Sequence, residues 1–384
     1  MPVTRPRLAF VSTMAGWPWG GSEELWSRAA SGALDADHPV GTWTYRWPAQ
    51  PPPLAALASR GAHTATWRHL TSIVRVEDRA RRVLPVFGSL RRFRPDAVCV
   101  SQGHAYEIAE REPLFRELHA LATRCPTVIA CQYHHPYRVP APEVRDRMTA
   151  LVGAAAGVAC VAQRNLDDLT RELGVTLANG TVVQNPVNLA DRSPVPWPPA
   201  PAEAQGPARL ACVARYEVAN KAQDALFEAL RAPAWRDRAW NLDLFGSGPD
   251  RDHLERLVRH YGMADRVRFR GHVDDVRGIW REHELLVLPS RAEGTPLAMV
   301  EAMLCGRPCL VTDVGGATEW VTDGETGFVA PSPNTGHLAA ALDRAWDARN
   351  RWPAMGSEAA RQAAARFDPD APARLLEMLV DAAS

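Results

Sequence analysis

The chain is almost without lysine. Of its 44 basic residues only Lys221 is one, and all the others are arginine. A pressure that exchanged lysine for arginine everywhere else and spared one position points to a place needing a compact ammonium rather than a planar fork; chance survival is the competing account. Net charge is missing too. The 44 acidic residues balance the 44 basic ones, so no global field favours nucleic acid as a partner. No apolar run approaches the length that spans a bilayer, and the segment before Thr13 has only a short apolar core, which leads us to expect no leader and a cytoplasmic protein. Cysteine is sparse and odd in number, at seven, and falls mostly within apolar strand-like runs. These residues read as core thiols of a reducing compartment. Cys305 and Cys309 have no ligand-spaced partner pair, so no zinc site is expected.

What is present is length and periodicity. At 384 residues the chain exceeds a usual single core, and two domains are the natural expectation. Apolar runs of strand length occur at 8–12, 96–101, 127–131, 158–162 and 180–183. After a proline-dense stretch they recur at 210–214, 242–245, 267–269, 285–288 and 309–311, separated by segments with helical spacing. Such alternation marks doubly wound parallel sheets. The expected division is an N-terminal domain over 1–190, a Pro-rich linker over 191–207, a C-terminal domain over 208–365 and a final helical segment over 366–384.

The stretch 285–312 carries the most chemistry. Its first strand leads into a polar loop containing Glu293, Gly294 and Thr295. Thr295 is a good N-cap and Pro296 suits the first helical position, so a helix is expected from there. The amides of Leu297 and Ala298 would then face outward, where the helix dipole favours an anion such as phosphate. Glu293 and Glu301 flank that point with seven residues between them. Taken singly, each reads as an ordinary solvated charge. As a pair beside an anion site they make sense as acceptors for sugar hydroxyls.

Topology gives them company. In a doubly wound sheet the strand C-terminal ends share one edge, where ligands bind. That edge would gather Arg215 and Lys221, which follow strand 210–214, with Ser247 of the Gly246-Ser247-Gly248-Pro249 turn and with Glu293, Thr295 and Glu301. Two cations, free amides and two acceptors suit a diphosphate with a sugar at each end. Fixed cations there would stabilise the charge that grows on a leaving diphosphate. No acidic cluster has convincing metal-ligand spacing: Asp35 with Asp37, and Asp368 with Asp370, read as solvated pairs.

The first half is less explicit. Gly20 and Gly21 precede a helix that begins with Glu23 and Glu24, and a Gly-Gly turn lets a ligand approach the backbone. Tryptophans crowd this half at 17, 19, 26, 43, 47 and 67. Core packing accounts for most of them, while Trp17 and Trp19, beside the glycine turn, could stack on a sugar or an apolar aglycone. The segment 68–94 carries eight arginines against Glu77 and Asp78. It reads first as a solvated helix face, and second as a basic patch for an anionic acceptor or for peripheral contact with the inner membrane face.

Together these motifs resemble the retaining glycosyltransferases of family 4. The resemblance rests on Arg215 and Lys221, Gly246-Ser247-Gly248-Pro249, Arg268-Phe269-Arg270-Gly271, Glu293 with Glu301, and Gly315-Gly316 followed by Glu319. It is weaker at Gly20-Gly21-Ser22-Glu23 and at Asn185-Pro186-Val187. It implies an α/β chain of GT-B fold, two Rossmann-like doubly wound domains facing a cleft, with the acceptor bound by the first and the nucleotide sugar by the second. The final helix would cross back to the first domain. Glu301 would hold the nucleotide ribose, Glu293 the transferred sugar, and Arg215 and Lys221 the diphosphate. Gly294, Thr295, Leu297, Ala298, Ser247, Val273, Gly20 and Gly21 would complete the donor contacts. Where the family commonly has a histidine after an N-domain strand this chain has Gln132, so His134 is assigned the sugar contact, with His135, His104 and Gln132 itself as alternatives. The implied reaction is same-face attack by an acceptor hydroxyl, with no protein nucleophile, metal or cofactor beyond the donor. A UDP-sugar is favoured over GDP-mannose, and a glycan, lipid-linked or small-molecule acceptor is expected. The rival readings are an epimerase or phosphorylase of the same fold, and a catalytically silent binding module.

Overall fold

The computed structural model describes residues 5–67, 87–133, 139–199 and 206–384. Most of the arginine-rich segment 68–94 thus lies outside the described residues, as do His134 and His135. The chain forms two compact units. The first comprises Met1–Pro186 together with Asp368–Ser384, and the second Val187–Phe367.

In the first unit seven parallel strands run in the order β3-β2-β1-β4-β5-β6-β7. They are β1 (Leu8–Ser12), β2 (Val40–Tyr45), β3 (His63–Trp67), β4 (Ala97–His104), β5 (Thr127–Tyr133), β6 (Gly157–Cys160) and β7 (Gly180–Val182). Alternate residues of β1 serve opposite faces, as strand geometry requires. Leu8 and Phe10 pack with Leu25, Trp26, Ala29 and Ala33 of the helix Gly21–Asp35. Ala9 and Val11 join Val98, Val100 and Trp43 on the other face. The chain's last helix, Ala371–Ala382, completes the first of these layers: Ala371, Leu375 and Leu379 are fully buried there. Small residues permit the approach, and a Cβ on Gly32 would sit 3.6 Å from Leu376.

The second unit has six parallel strands in the order β10-β9-β8-β11-β12-β13. These are β8 (Ala208–Val213), β9 (Trp240–Phe245), β10 (Val267–Gly271), β11 (Leu285–Leu288), β12 (Cys309–Thr312) and β13 (Gly327–Ala330). The order reverses between β8 and β11, which pair at Leu285 with Leu210 and Leu286 with Ala211. Their C-terminal ends therefore frame the switch point of a Rossmann sheet, where the loops part and leave a crevice.

Two sequence expectations need correction here. The described part of the stretch expected as a linker, 191–199 and 206–207, does not divide the units; it falls within the second. Arg307, 1% exposed, explains how. Its guanidinium donates to the carbonyls of Val195 and Pro196 at 3.3 and 2.6 Å, to those of Cys305, Gly306 and His283 at 3.0, 3.1 and 3.0 Å, and to that of Trp280. Its charge also lies over the Trp197 ring at 4.9 Å. The second correction concerns the helix after β11, which spans Leu297–Leu304 with Pro296 as its N-cap. Thr295 is not the cap, because Pro296 is itself extended, at φ −64° and ψ 110°, so the first helical residue is Leu297.

Burial pulls the Arg307 guanidinium down to about 10, yet six carbonyls depend on it. Arg307→Met keeps most of the volume and strands those carbonyls. The expected loss is about 3 kcal/mol or more in denaturant unfolding followed by tryptophan fluorescence.

Candidate functional site

The site of the second unit is built from the loops that leave β8 and β11. After β8 the chain passes Arg215 and Tyr216 and forms a single turn, Val218–Lys221. Ala222 then takes a left-handed conformation, φ 50°, and starts the helix Gln223–Leu230. A left-handed alanine is strained, and it is held because its side chain is wholly buried. Lys221 consequently ends one helical turn at the sheet edge instead of continuing into the next helix.

Backbone packing fixes this loop. A Cβ on Gly248 would lie 2.3 Å from the Tyr216 carbonyl oxygen, so only glycine permits the Gly246-Ser247-Gly248 turn to stack on it. Tyr216 N–H donates to Ser247 O at 3.1 Å, and its hydroxyl donates to Leu244 O at 2.8 Å. Asp250 accepts the Val218 N–H at 2.7 Å. Ser247 itself is exposed, and Val273 is half-buried in the loop after β10, further along the same edge.

From β11, Ser290, Glu293, Gly294 and Thr295 are all buried. Lys221 Nζ meets Glu293 Oε1 at 2.6 Å, and Ser290 Oγ donates to the same oxygen at 2.7 Å. Both contacts fall on Oε1 of the carboxylate. Arg291 fastens the two loops: its guanidinium pairs bidentately with Asp224 at 2.9 and 3.0 Å, reaches the Val218 carbonyl, and its N–H donates to Asn220 O at 2.7 Å. A third loop, after β12, closes on the same backbone. Gly316 N–H donates to Gly294 O at 2.7 Å, and a Cβ on Gly315 would lie 2.3 Å from the Glu293 and Gly294 carbonyl oxygens.

The helix Leu297–Leu304 points its N-terminus into this group. Met299 and Val300 N–H groups return to Pro296 O at 3.1 and 3.3 Å. Among the described residues no backbone acceptor remains for the Leu297 and Ala298 amides, which carry the positive end of the dipole. Glu301 lies one turn in, 5% exposed, and accepts the Asn188 N–H at 2.9 Å. Arg215 pairs with Glu217 at 2.9 Å on the rim of the first loop. The arrangement can neutralise an anion at the helix end and offer two carboxylates to hydroxyl donors beside it. Among the described residues no group of His, Cys, Asp or Glu side chains could hold a metal ion.

Other expected residues lie in the first unit. Gly20 is the N-cap of Gly21–Asp35, in extended backbone, and a Cβ there would meet nothing within 4 Å. The fold itself thus gives no reason for glycine at that position. Gln132 is buried and accepts Asn185 Nδ2–H at 2.6 Å. His104 lies at the end of β4, 3.4 Å from Glu110.

Sequence reasoning did not find Ser290, Arg291, Asp224 or Asn188. Ser290 had a signal, as a polar residue just past a strand at the switch point. The others act through contacts between distant segments and carried none.

Similarity to known proteins follows this geometry. Residues 207–348 match the family described as glycosyl transferases group 1. The alpha-D-kanosaminyltransferase of Streptomyces kanamyceticus is 32% identical over 151 residues, 39% of this chain and 39% of that protein. A glycogen synthase of Mycobacterium tuberculosis is 31% identical over 216 residues, 56% of this chain and 50% of the relative. The chain therefore spans half or less of the length of these curated relatives. Solved structures match it nearly end to end. Anabaena Alr3699/HepE in complex with UDP and glucose has a TM-score of 0.70 at 20% identity, covering 98% of this chain and 99% of that one. Sucrose-phosphate synthase from Thermosynechococcus elongatus has a TM-score of 0.72 at 18% identity, covering 97% and 98%. At these identities the likeness defines the fold: two Rossmann-like units of GT-B type.

Burial pushes the Glu301 carboxyl up from 4.5 to about 7, against the Asn188 hydrogen bond that lowers it. In that window the folded chain keeps a proton the unfolded chain gives up, so stability falls as pH rises. Glu301→Gln should therefore be more stable than the parent by about 3 kcal/mol near pH 8 and by less than about 1 kcal/mol near pH 5. Urea unfolding at the two pH values measures the difference.

Proposed function

We propose that the chain is a retaining, metal-independent glycosyltransferase of family 4 that moves a hexose from a nucleotide diphosphate sugar, UDP-linked in preference to GDP-linked, to an acceptor hydroxyl. The observation that carries this reading is the contact of the chain's one lysine with Glu293 at the switch point, beside a helix N-terminus whose first amides are open.

In this reading the donor diphosphate lies against the Leu297 and Ala298 amides, and Lys221 and Arg215 bind its oxygens. As the anomeric carbon–oxygen bond breaks, charge accumulates on the leaving phosphate, and these fixed groups stabilise it more than they stabilise the intact donor. Lys221 then has two partners to choose between, carboxylate and phosphate, and the freed Glu293 accepts hydroxyls of the sugar being moved. Glu301 accepts from the ribose. The acceptor hydroxyl forms the new bond on the face the phosphate leaves, and its proton passes to the departing phosphate oxygen. The family match over 207–348, which spans all of these second-unit residues, and the UDP-bound structural neighbour support the donor class.

Lys221→Ala and Glu293→Ala are each expected to lower kcat/KM by about a hundred- to a thousandfold, measured as release of nucleotide diphosphate from a panel of UDP- and GDP-sugars. Lys221→Arg should not restore the rate, since a planar fork cannot replace the ammonium between Glu293 and a phosphate. Unchanged turnover of every accepted donor in both alanine variants would refute the mechanism.

A further inference from the structure

Each cation assigned to the diphosphate has a carboxylate beside it. Lys221 has Glu293, and Arg215 has Glu217, whose Oε2 lies 2.9 Å from the guanidinium Nη2. Local structure does not call for the second acid. The Glu217 carbonyl accepts the Lys221 N–H at 2.8 Å, and the N–H at the head of the turn Val218–Lys221 goes to Asp250 at 2.7 Å, so the Glu217 side chain makes no capping bond.

The two arginines of these loops are held differently. Arg291 is clamped, with both terminal nitrogens on Asp224 at 2.9 and 3.0 Å and a further bond to the Val218 carbonyl. Arg215 meets Glu217 through one nitrogen, and the contact lacks the alignment of a hydrogen bond: Glu217 Oε2 is sealed from solvent with no hydrogen-bond donor. What holds this contact is charge. An arginine fixed by two aligned bonds stays in place, whereas one held by charge turns to a better acceptor, and a phosphate offers a guanidinium two parallel bonds. The Arg215 side chain is 37% exposed, so it keeps a solvent-facing side from which to make that exchange. Transfer also changes the charge of the ligand. When the sugar leaves, the terminal phosphate gains about one further negative charge. Fixed cations then hold the product more firmly than the donor, and product release limits many enzymes. A carboxylate competing for one of those cations loosens both ligands and repels the more highly charged product more.

We infer that Glu217 is a competing counter-ion for Arg215, acting through that arginine to weaken the site's hold on the nucleotide diphosphate left after transfer. This deepens the transfer reading above and rests on it for the identity of the ligand. Glu217 touches no reacting atom. It takes the guanidinium back as the diphosphate departs, and its own charge opposes rebinding.

The test is calorimetric titration of the full chain with UDP, GDP and inorganic pyrophosphate, at low and high KCl, in the parent, Glu217→Gln, Arg215→Gln and the double variant. Glu217→Gln keeps the size of the side chain and removes its charge. It should bind the diphosphates about three- to tenfold more tightly than the parent, and the gain should shrink as salt rises. In steady state the inhibition constant of the nucleotide diphosphate should fall more than the donor KM. The gain should vanish when Arg215→Gln is already present, because the two changes are coupled. A carboxylate that only holds Arg215 in place predicts the opposite sign, weaker binding in Glu217→Gln. Unchanged or weaker binding, or a gain that persists without Arg215, overturns the inference. If Glu217→Gln tightens diphosphates through Arg215 while no nucleotide sugar is turned over, the transfer reading falls and the counter-ion stands. Donor turnover with diphosphate affinity unchanged in Glu217→Gln removes the counter-ion and leaves the transfer reading. Absence of diphosphate binding in all four proteins overturns both.

Discussion

The contact between Lys221 and Glu293 is the constraint on which the second unit depends. Two opposite charges 2.6 Å apart and mostly out of solvent lose hydration that only good geometry and added hydrogen bonds return. Ser290 supplies one such bond. The partners are 72 positions apart in sequence, so the sheet must bring them together. It does so because β8 and β11 are neighbours although two strands, β9 and β10, lie between them in the chain. A sheet ordered by sequence would put β9 and β10 between β8 and β11, and the pair would not form. The crossover that creates a switch point is therefore the same feature that creates the ion pair.

Neighbouring strands bring the loops near; they do not fix side chains to within a hydrogen bond. That precision comes from main chain stacked on main chain. Gly248 lies against the Tyr216 carbonyl, and Gly315 against those of Glu293 and Gly294, each with no space for a Cβ. Arg291 then ties the β11 loop to Asp224 and to the carbonyls of the Lys221 turn. A planar guanidinium held bidentately tolerates little rotation. The flanking glycines thus support the site mechanically, beyond any contact they make with a ligand.

This division of labour decides what could be read in advance. Strands β1 and β11 were legible to the residue, because both are unbroken apolar runs buried on both faces. The runs Val40–Tyr45 and His63–Trp67 were passed over: threonine, small residues and tryptophan alternate there without an aliphatic run. Glu293, Glu301 and Lys221 stood out through spacing and rarity. Arg291, Asp224 and Asn188 did not, since each acts by a contact that exists only once the chain is folded. The proline-dense stretch misled for the opposite reason. Its composition resembles a tether, but Arg307 collects its carbonyls and Trp197 lies under the same charge.

The scarcity of lysine acquires a sharper meaning from these arginines. Arg307 satisfies six carbonyls, Arg266 satisfies those of Trp235, Arg236 and Arg238, and Arg291 clamps a carboxylate and a carbonyl. A fork with five donors in fixed directions is suited to stitching backbone that must not move. Lys221 has the other task. Its ammonium rotates its three donors freely, and its partner Glu293 has to be exchangeable if a diphosphate is to bind there as proposed. Replacing every lysine by arginine would leave the stitching intact and spoil the one position where, in the proposed mechanism, a cation changes partners, and that is the position at which the chain has kept it.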